Sequence, residues 1–277
     1  MMSILVTGAT GNVGRHLVEQ LSGAGHRVRA FTRRPDSARF PDGVETAGGD
    51  LLDPASFEAA LDGVTALHLL TTLAPSYEPL SIEYATELVG LAAKAGVRHV
   101  TVLWNGQRDP LEEAVERSGL GWTHLHPGSF MSNDLAWAEE IRSEGVVREP
   151  FPDAAHRMID EADIAAVAAA ALTAEGHAGQ TYTLTGPEAL AVPARVAAIA
   201  RAAGREVRYE ELSRAAAHER MRGMGIDDEA ADFVLDWNAD PSNDEELAAN
   251  AADIAAITGR PAGTYAEWAE RHAASFR

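Results

Sequence analysis

Three glycines spaced three apart, directly behind the first apolar run, constrain this chain more than any other feature. The segment Ile4-Leu5-Val6-Thr7-Gly8-Ala9-Thr10-Gly11-Asn12-Val13-Gly14-Arg15 passes from a β-branched run straight into a helical pattern. Gly8 allows the tight turn, and Gly14 lets the helix pack close to the strand it has just left. Gly11 keeps the backbone bare where a ligand must approach. The unpaired N–H groups of the first helical turn, around Thr10, Asn12 and Val13, then face that bare surface, and the helix dipole favours an anion there. This is the setting of a pyrophosphate-binding turn, with spacing G-x-x-G-x-x-G in place of G-x-G-x-x-G. The bland alternative is a glycine-rich turn that serves packing alone.

Strand and helix continue to alternate beyond the turn. Short apolar runs at 4–7, 28–32, 44–47, 65–70, 99–103 and 122–126 read as strands buried on both faces. Helical patterns at 13–24, 54–61, 82–95 and 111–118 separate them. Asp53 before Pro54 reads as an N-cap with proline at the first helical position. Alternation of this kind predicts an α/β fold, a doubly wound parallel Rossmann sheet. Beyond Phe130 the rhythm changes to helices at 162–174 and 192–203, strands at 180–184 and 206–209, and an all-helical tail after Ser213. The expected organisation is a dinucleotide-binding core over 1–133. A smaller, mostly helical C-terminal lobe over 134–277 packs on that core as one unit.

Composition narrows the chemistry. The 277 residues carry 23 Lys+Arg against 42 Asp+Glu, a formal net charge of −19, and no cysteine. Without cysteine there are no disulfides, thiolate metal sites, iron–sulfur clusters or cysteine nucleophiles. No His-Glu-x-x-His motif and no His-x-His pair with nearby carboxylates in the sequence emerges, so no metal is expected. The charge argues against nucleic acid as a partner. No apolar run is long enough to cross a membrane, and the expected location is the cytoplasm. The window 226–254 holds ten acidic residues and no Lys, Arg or His, which reads as a solvated helical face, or as a lid or partner surface.

The end of the second strand chooses between cofactors. An acid there would pair with the ribose 2′-hydroxyl; this chain has Thr32-Arg33-Arg34 instead. A guanidinium suits a 2′-phosphate, so Arg33 predicts NADP(H) in preference to NAD(H). A surface arginine of a turn is the alternative. After the third strand, Asp50 is placed to accept from the adenine amino group and the Leu51 backbone to complete that contact. Leu70 and Thr71 end the fourth strand across the switch point.

With these residues in view the chain resembles the NmrA-like atypical branch of the short-chain dehydrogenases/reductases. The resemblance rests on residues 7–14, on Gly49-Asp50-Leu51-Leu52-Asp53, on Ala95-Gly96-Val97-Arg98-His99-Val100 and on Pro127-Gly128-Ser129-Phe130-Met131-Ser132-Asn133. Asp163-Ile164-Ala165 and Leu184-Thr185-Gly186-Pro187 complete it. It covers about residues 3–213. It implies a Rossmann NAD(P)-binding fold and either a reductase of quinones, dyes, iminium ions or phenylpropanoids, or a redox-sensing regulator that binds the cofactor without turnover.

The proton relay of many short-chain dehydrogenases is a Tyr-x-x-x-Lys pair. Here the residues four after Tyr77, Tyr84, Tyr182, Tyr209 and Tyr265 are Ser81, Leu88, Gly186, Ser213 and Ala269, and the sole lysine is Lys94. Trp104 stands where the family often has serine. His126 ends the sixth strand where many relatives carry arginine, and shares a face with His124 by the period of two. His126 is the candidate proton donor; a histidine that merely fixes the loop is the alternative. Tyr77, Trp104, Asn105 and Phe130 are the candidate substrate contacts. The expectation is a reductase that passes hydride from NADPH to a small electrophile (a quinone, an iminium ion or a conjugated enone) as a monomer or homodimer. A non-catalytic cofactor sensor, or a redox-silent enzyme of specialised metabolism, are the alternatives.

Overall fold

The computed structural model describes residues 2–71, 80–104 and 109–277, and the side chains of residues 243 and 244 are outside that description. Six parallel strands carry the first part of the chain: β1 Ser3–Val6, β2 Arg27–Thr32, β3 Glu45–Gly48, β4 Ala66–Leu70, β5 His99–Leu103 and β6 Gly121–Pro127. They are joined by α1 Asn12–Gly23, α2 Pro54–Ala60, α3 Ile82–Ala95 and α4 Pro110–Arg117. The sheet order is β3-β2-β1-β4-β5-β6, and a later strand, Gln180–Leu184, extends it beside β6. β1 is hydrogen-bonded to β2 on one side and β4 on the other, both parallel. The order therefore reverses at β1, and a doubly wound sheet opens its ligand crevice at that point, beyond the carboxyl ends of the strands.

Local chemistry explains the boundaries. The Asp53 carboxylate accepts from Ala55 N at 3.2 Å with Pro54 next to it, which starts α2. Asp109, before Pro110, caps α4 in the same way through Leu111 N at 2.8 Å. The strands β1, β2 and β4 are buried almost throughout, with Ile4, Leu5, Val6, Leu67 and Leu69 at 0–1% exposure, as expected of strands covered on both faces. One imidazole is enclosed with them. His68 on β4 bonds Thr101 Oγ1 through Nδ1 at 2.8 Å, and burial pushes its pKa down to about 4.

The remaining elements are, in chain order, α5 Ala138–Glu144, β7 Val146–Glu149, β8 Ala155–His156, α6 Glu161–Thr173, β9 Gln180–Leu184, β10 Leu190–Ala191, α7 Val192–Ala203, β11 Arg208–Glu211, α8 Arg214–Gly223, α9 Asp228–Ala239, α10 Ser242–Ala249, α11 Ile254–Thr258 and α12 Tyr265–Arg271. Two compact units result. The first comprises Met1–Pro127, Glu161–Thr183 and Asp253–Arg260; the second comprises Gly128–Asp160, Leu184–Ala252 and Pro261–Arg277. In the first, α6 packs on α1 and α11, while α3 packs on α2 and α4.

The second unit is mostly helical, with two small sheets, β10–β8 antiparallel and β11–β7 parallel. Its core gathers Trp268, Tyr265, Phe276, Ile141, Val147 and Ile199. Within that core Arg195 Nη1 spans both oxygens of Asp134 at 2.6 and 2.7 Å, and the Tyr265 hydroxyl donates to Asp134 Oδ2 at 2.5 Å. Burial outweighs the arginine and pushes the Asp134 carboxyl up to about 6. The acidic window is partly answered by α8: Arg214 meets Asp232 and Asp236, and Arg222 meets Asp228. The short strands β7, β8 and β10 carry too few residues for a period of two to show in the sequence. Among the described residues no helix is long and apolar enough to cross a membrane.

Candidate cofactor and acceptor site

The turn between β1 and α1 is built by sterics. Gly8 has φ +59°, a left-handed conformation that suits glycine, and a Cβ on it would stand 2.0 Å from Leu70 Cδ2. A Cβ on Gly14 would meet the Gly8 carbonyl oxygen at 2.1 Å. The Gly11 N–H closes the turn onto the Gly8 carbonyl at 2.8 Å. Gly11 is the N-cap of α1, with no capping side chain, and no acid stands in the first turn. The positive end of the helix dipole is therefore presented there, which fits a pyrophosphate.

A cleft of about 260 Å³ continues from this turn. It brings together Gly8, Thr10, Gly11, Arg33, Asp50, Leu51 and Leu70. Asn12, Val13 and Gly14 form the first turn of α1 beside it. Thr71 is not among the lining residues: it is fully buried, and its hydroxyl donates to the Leu103 carbonyl at 3.2 Å, tying β4 to β5. Asp50 Oδ1 accepts from Leu52 N at 3.0 Å. The Leu51 carbonyl is occupied by the Tyr84 hydroxyl at 2.6 Å, which leaves the Leu51 N–H as its other backbone group. Phe31, Thr32 and Gly49 also line the cleft, and the sequence alone assigns none of the three a contact. Of these Gly49 carries the clearest signal, since a Cβ there would meet the Phe31 ring at 2.5 Å. Arg33 is exposed at the mouth.

At the β6 end of the same sheet the groups are side chains. Trp104, after β5, stacks on His126 with ring centroids 4.5 Å apart and planes 22° apart. His126 is partly exposed, and its Nε2 lies 2.7 Å from Glu112 Oε1 of α4. His124, two residues back, puts Nδ1 3.4 Å from the same Glu112 oxygen and Nε2 3.2 Å from Glu116 Oε1. Trp122 stacks on His124 at 4.3 Å. Burial holds His124 below the usual imidazole range, against the pull of Glu112 and Glu116. The period of two shows the histidine pair. Glu112 comes from a helix fourteen residues earlier and is invisible to that period.

Phe130 belongs to the second unit, where it is half-buried and bridges to Ile159. Tyr77 and Asn105 lie outside the described residues. The four described tyrosines have committed hydroxyls: Tyr84 to Leu51 O, Tyr182 with His177 Nδ1, Tyr209 to Glu149 O, and Tyr265 to Asp134. Lys94 is paired with Glu58 at 3.0 Å.

Fold, switch point and glycine cradle together define a Rossmann-type protein that binds a nicotinamide dinucleotide. The family model described as NAD(P)H-binding matches residues 8–110. The chain is 37% identical to the NAD(P)H azoreductase of Xenophilus azovorans, over 99% of both chains. It is 38% identical to the (4-alkanoyl-5-oxo-2,5-dihydrofuran-3-yl)methyl phosphate reductase of Streptomyces griseus, again over 99% of both. Among solved structures it matches the Escherichia coli quinone oxidoreductase QOR2 complexed with NADPH, with TM-score 0.73 and 25% identity over 97% of this chain and 99% of that one. The chain therefore belongs to the family of NAD(P)H-dependent reductases that these relatives represent.

Proposed function

We propose that this protein reduces a small electrophilic acceptor (a quinone, an iminium ion or a conjugated enone) at the expense of NADPH. When bound, the nicotinamide supplies the hydride. The protein's part is to hold, orient and protonate. Gly8, Gly11 and Gly14 shape the pyrophosphate cradle, with the N–H groups around Thr10, Asn12 and Val13 as donors. Asp50, Leu51 and Leu70 wall the adenosine end. Arg33, at the mouth of that cleft, is placed for a 2′-phosphate and favours NADPH over NADH.

The observation that carries the acceptor side is the Trp104–His126–Glu112 arrangement at the carboxyl end of β5 and β6. A flat indole suits a planar acceptor. His126 is the one imidazole there that is both partly exposed and paired with a carboxylate, which makes it the proton donor. A preformed cation needs hydride alone; a quinone or enone also needs the proton, and that is where His126 matters. No tyrosine in the chain has a lysine four residues on, and the described tyrosines are engaged elsewhere, so no phenolate relay is assigned. Within the first unit, Trp104 is the proposed acceptor contact.

The test is oxidation of NADPH in the presence of a panel of quinones, iminium ions and enones. Turnover with one class supports the proposal. Tight NADPH binding with no oxidation by any class would replace it with a cofactor sensor.

A further inference from the structure

One carboxylate oxygen, Glu112 Oε1, faces two imidazoles: His126 Nε2 at 2.7 Å and His124 Nδ1 at 3.4 Å. An ionised carboxylate only accepts, so the 2.7 Å contact requires the hydrogen to sit on His126 Nε2. The ring cannot easily turn over to present its other nitrogen, because Trp104 lies flat against it. Glu112 is itself enclosed, its side chain 11% exposed, so its charge is weakly screened by solvent. His124 is the second claimant on that charge, and Glu116, half-exposed on the next turn of α4, holds its far nitrogen at 3.2 Å. Asp109, the buried N-cap of α4, is the other acid near the cluster; burial raises its carboxyl and Glu112 adds to the rise. Among the described residues no lysine or arginine is paired with Glu112.

We infer that Glu112 is the positioning residue of the proton-donating histidine. It fixes the hydrogen on Nε2 of His126, makes Nδ1 the nitrogen that releases the proton, and is shared with His124 and, through it, with Glu116. The inference rests on the reading of His126 as the donor. The step balances simply: the acceptor gains hydride from the cofactor and the Nδ1 proton from His126. The neutral imidazole left behind keeps its Nε2–H on Glu112 and regains a proton at Nδ1 from solvent. Sharing has a consequence. When His124 also carries a proton it draws on the same oxygen, so each ring feels the charge of the other.

The test is an imidazole proton–nitrogen NMR titration of the cofactor-free protein, wild type against E112Q and E116Q, alongside the pH profile of kcat for a proton-requiring acceptor. Removing an adjacent opposite charge disfavours the imidazolium, so E112Q should move the His126 midpoint down. It should also turn a single Nε2–H tautomer into a mixture. E116Q should lower the His124 midpoint and leave the His126 tautomer as it was. The alkaline limb of the kcat profile, where the donor loses its proton, should move with the His126 midpoint in E112Q. A wild-type His126 in the Nδ1–H form, or an unmoved midpoint in E112Q, would overturn the inference. The NMR shifts as expected with an unmoved kcat profile would uphold Glu112 as the residue that sets His126, and overturn His126 as the donor.

Discussion

At the β1 end of the sheet the working groups are backbone N–H groups held open by three glycines; at the β6 end they are two imidazoles and two carboxylates held between two indoles. The first arrangement is a set of fixed dipoles. It does not titrate, and its geometry is enforced by the clashes a Cβ would make at Gly8 and Gly14. The second is a set of groups whose charge depends on one another, arranged by packing α4 against β6. A phosphate needs a permanent, rigid host. A proton donor needs a group that changes state, and the proposed donor, His126, stands among charged neighbours.

The sharpest break of this contrast is Gly11→Val. Its Cβ would stand 3.1 Å from the Gly8 carbonyl, which a small shift relieves, while its branches fill the phosphate approach. NADPH binding should be lost in calorimetric titration with the circular dichroism of a folded chain. Gly14→Val, whose Cβ falls 2.1 Å from the same oxygen, should lose the fold as well. Undiminished binding in folded Gly11→Val would make the turn a packing device only.

His126→Phe keeps a ring against Trp104 and removes the proton. General-acid help amounts to about 10²–10⁴-fold, so kcat should fall by that order for quinones and enones. The loss should be far smaller for a preformed cation. Equal losses for both acceptor classes would mean that the ring positions the acceptor and does not protonate it.

The core itself gives a third effect. His68 is neutral in the folded chain, with its pKa lowered from 6.5 to about 4 by burial. As pH falls below 6.5 the unfolded chain takes up a proton and the folded chain does not. Stability is therefore full above pH 6.5 and drains until pH 4. The gap of 6.5 − 4 = 2.5 units corresponds to roughly 3 kcal/mol. Denaturant unfolding across that range should show the loss, and His68→Gln should flatten it. A slope as steep in the variant would assign the acid sensitivity to other groups.

The smallest expected effect is at Arg33. Its alanine variant should lose about 1.5–3 kcal/mol of NADPH affinity, roughly ten- to hundredfold, with NADH nearly unchanged. Titration with both cofactors measures it; wild-type protein that binds both equally would remove Arg33 from the specificity argument.

Legibility in the amino-acid sequence divides along the same line. The cradle is legible because it depends on residues within one turn, Gly8, Gly11 and Gly14, and on a steric rule that admits little else. The inner strands β1, β2 and β4 are legible because both faces are buried, and β5 and α3 fall where the apolar pattern puts them. Glu112 is not legible, because its partnership with His126 joins a helix to a strand and depends on how α4 is seated. Thr71 and the Leu51 backbone are read as cofactor contacts in sequence. In the fold the Thr71 hydroxyl and the Leu51 carbonyl are engaged with Leu103 and Tyr84, partners that the local pattern does not show. Arg195 on α7 and Asp134 meet only because the second unit folds around them, sixty-one residues apart.

The central claim is direct hydride transfer from NADPH at this site. It is tested most directly with NADPH deuterated on one face of the nicotinamide C4, then on the other, and an iminium or carbocation acceptor whose new C–H bond does not exchange. The account predicts that deuterium from one face, and not the other, appears at the reduced carbon of the product. Product without deuterium from either face, or cofactor recovered intact from a saturated complex, would contradict it.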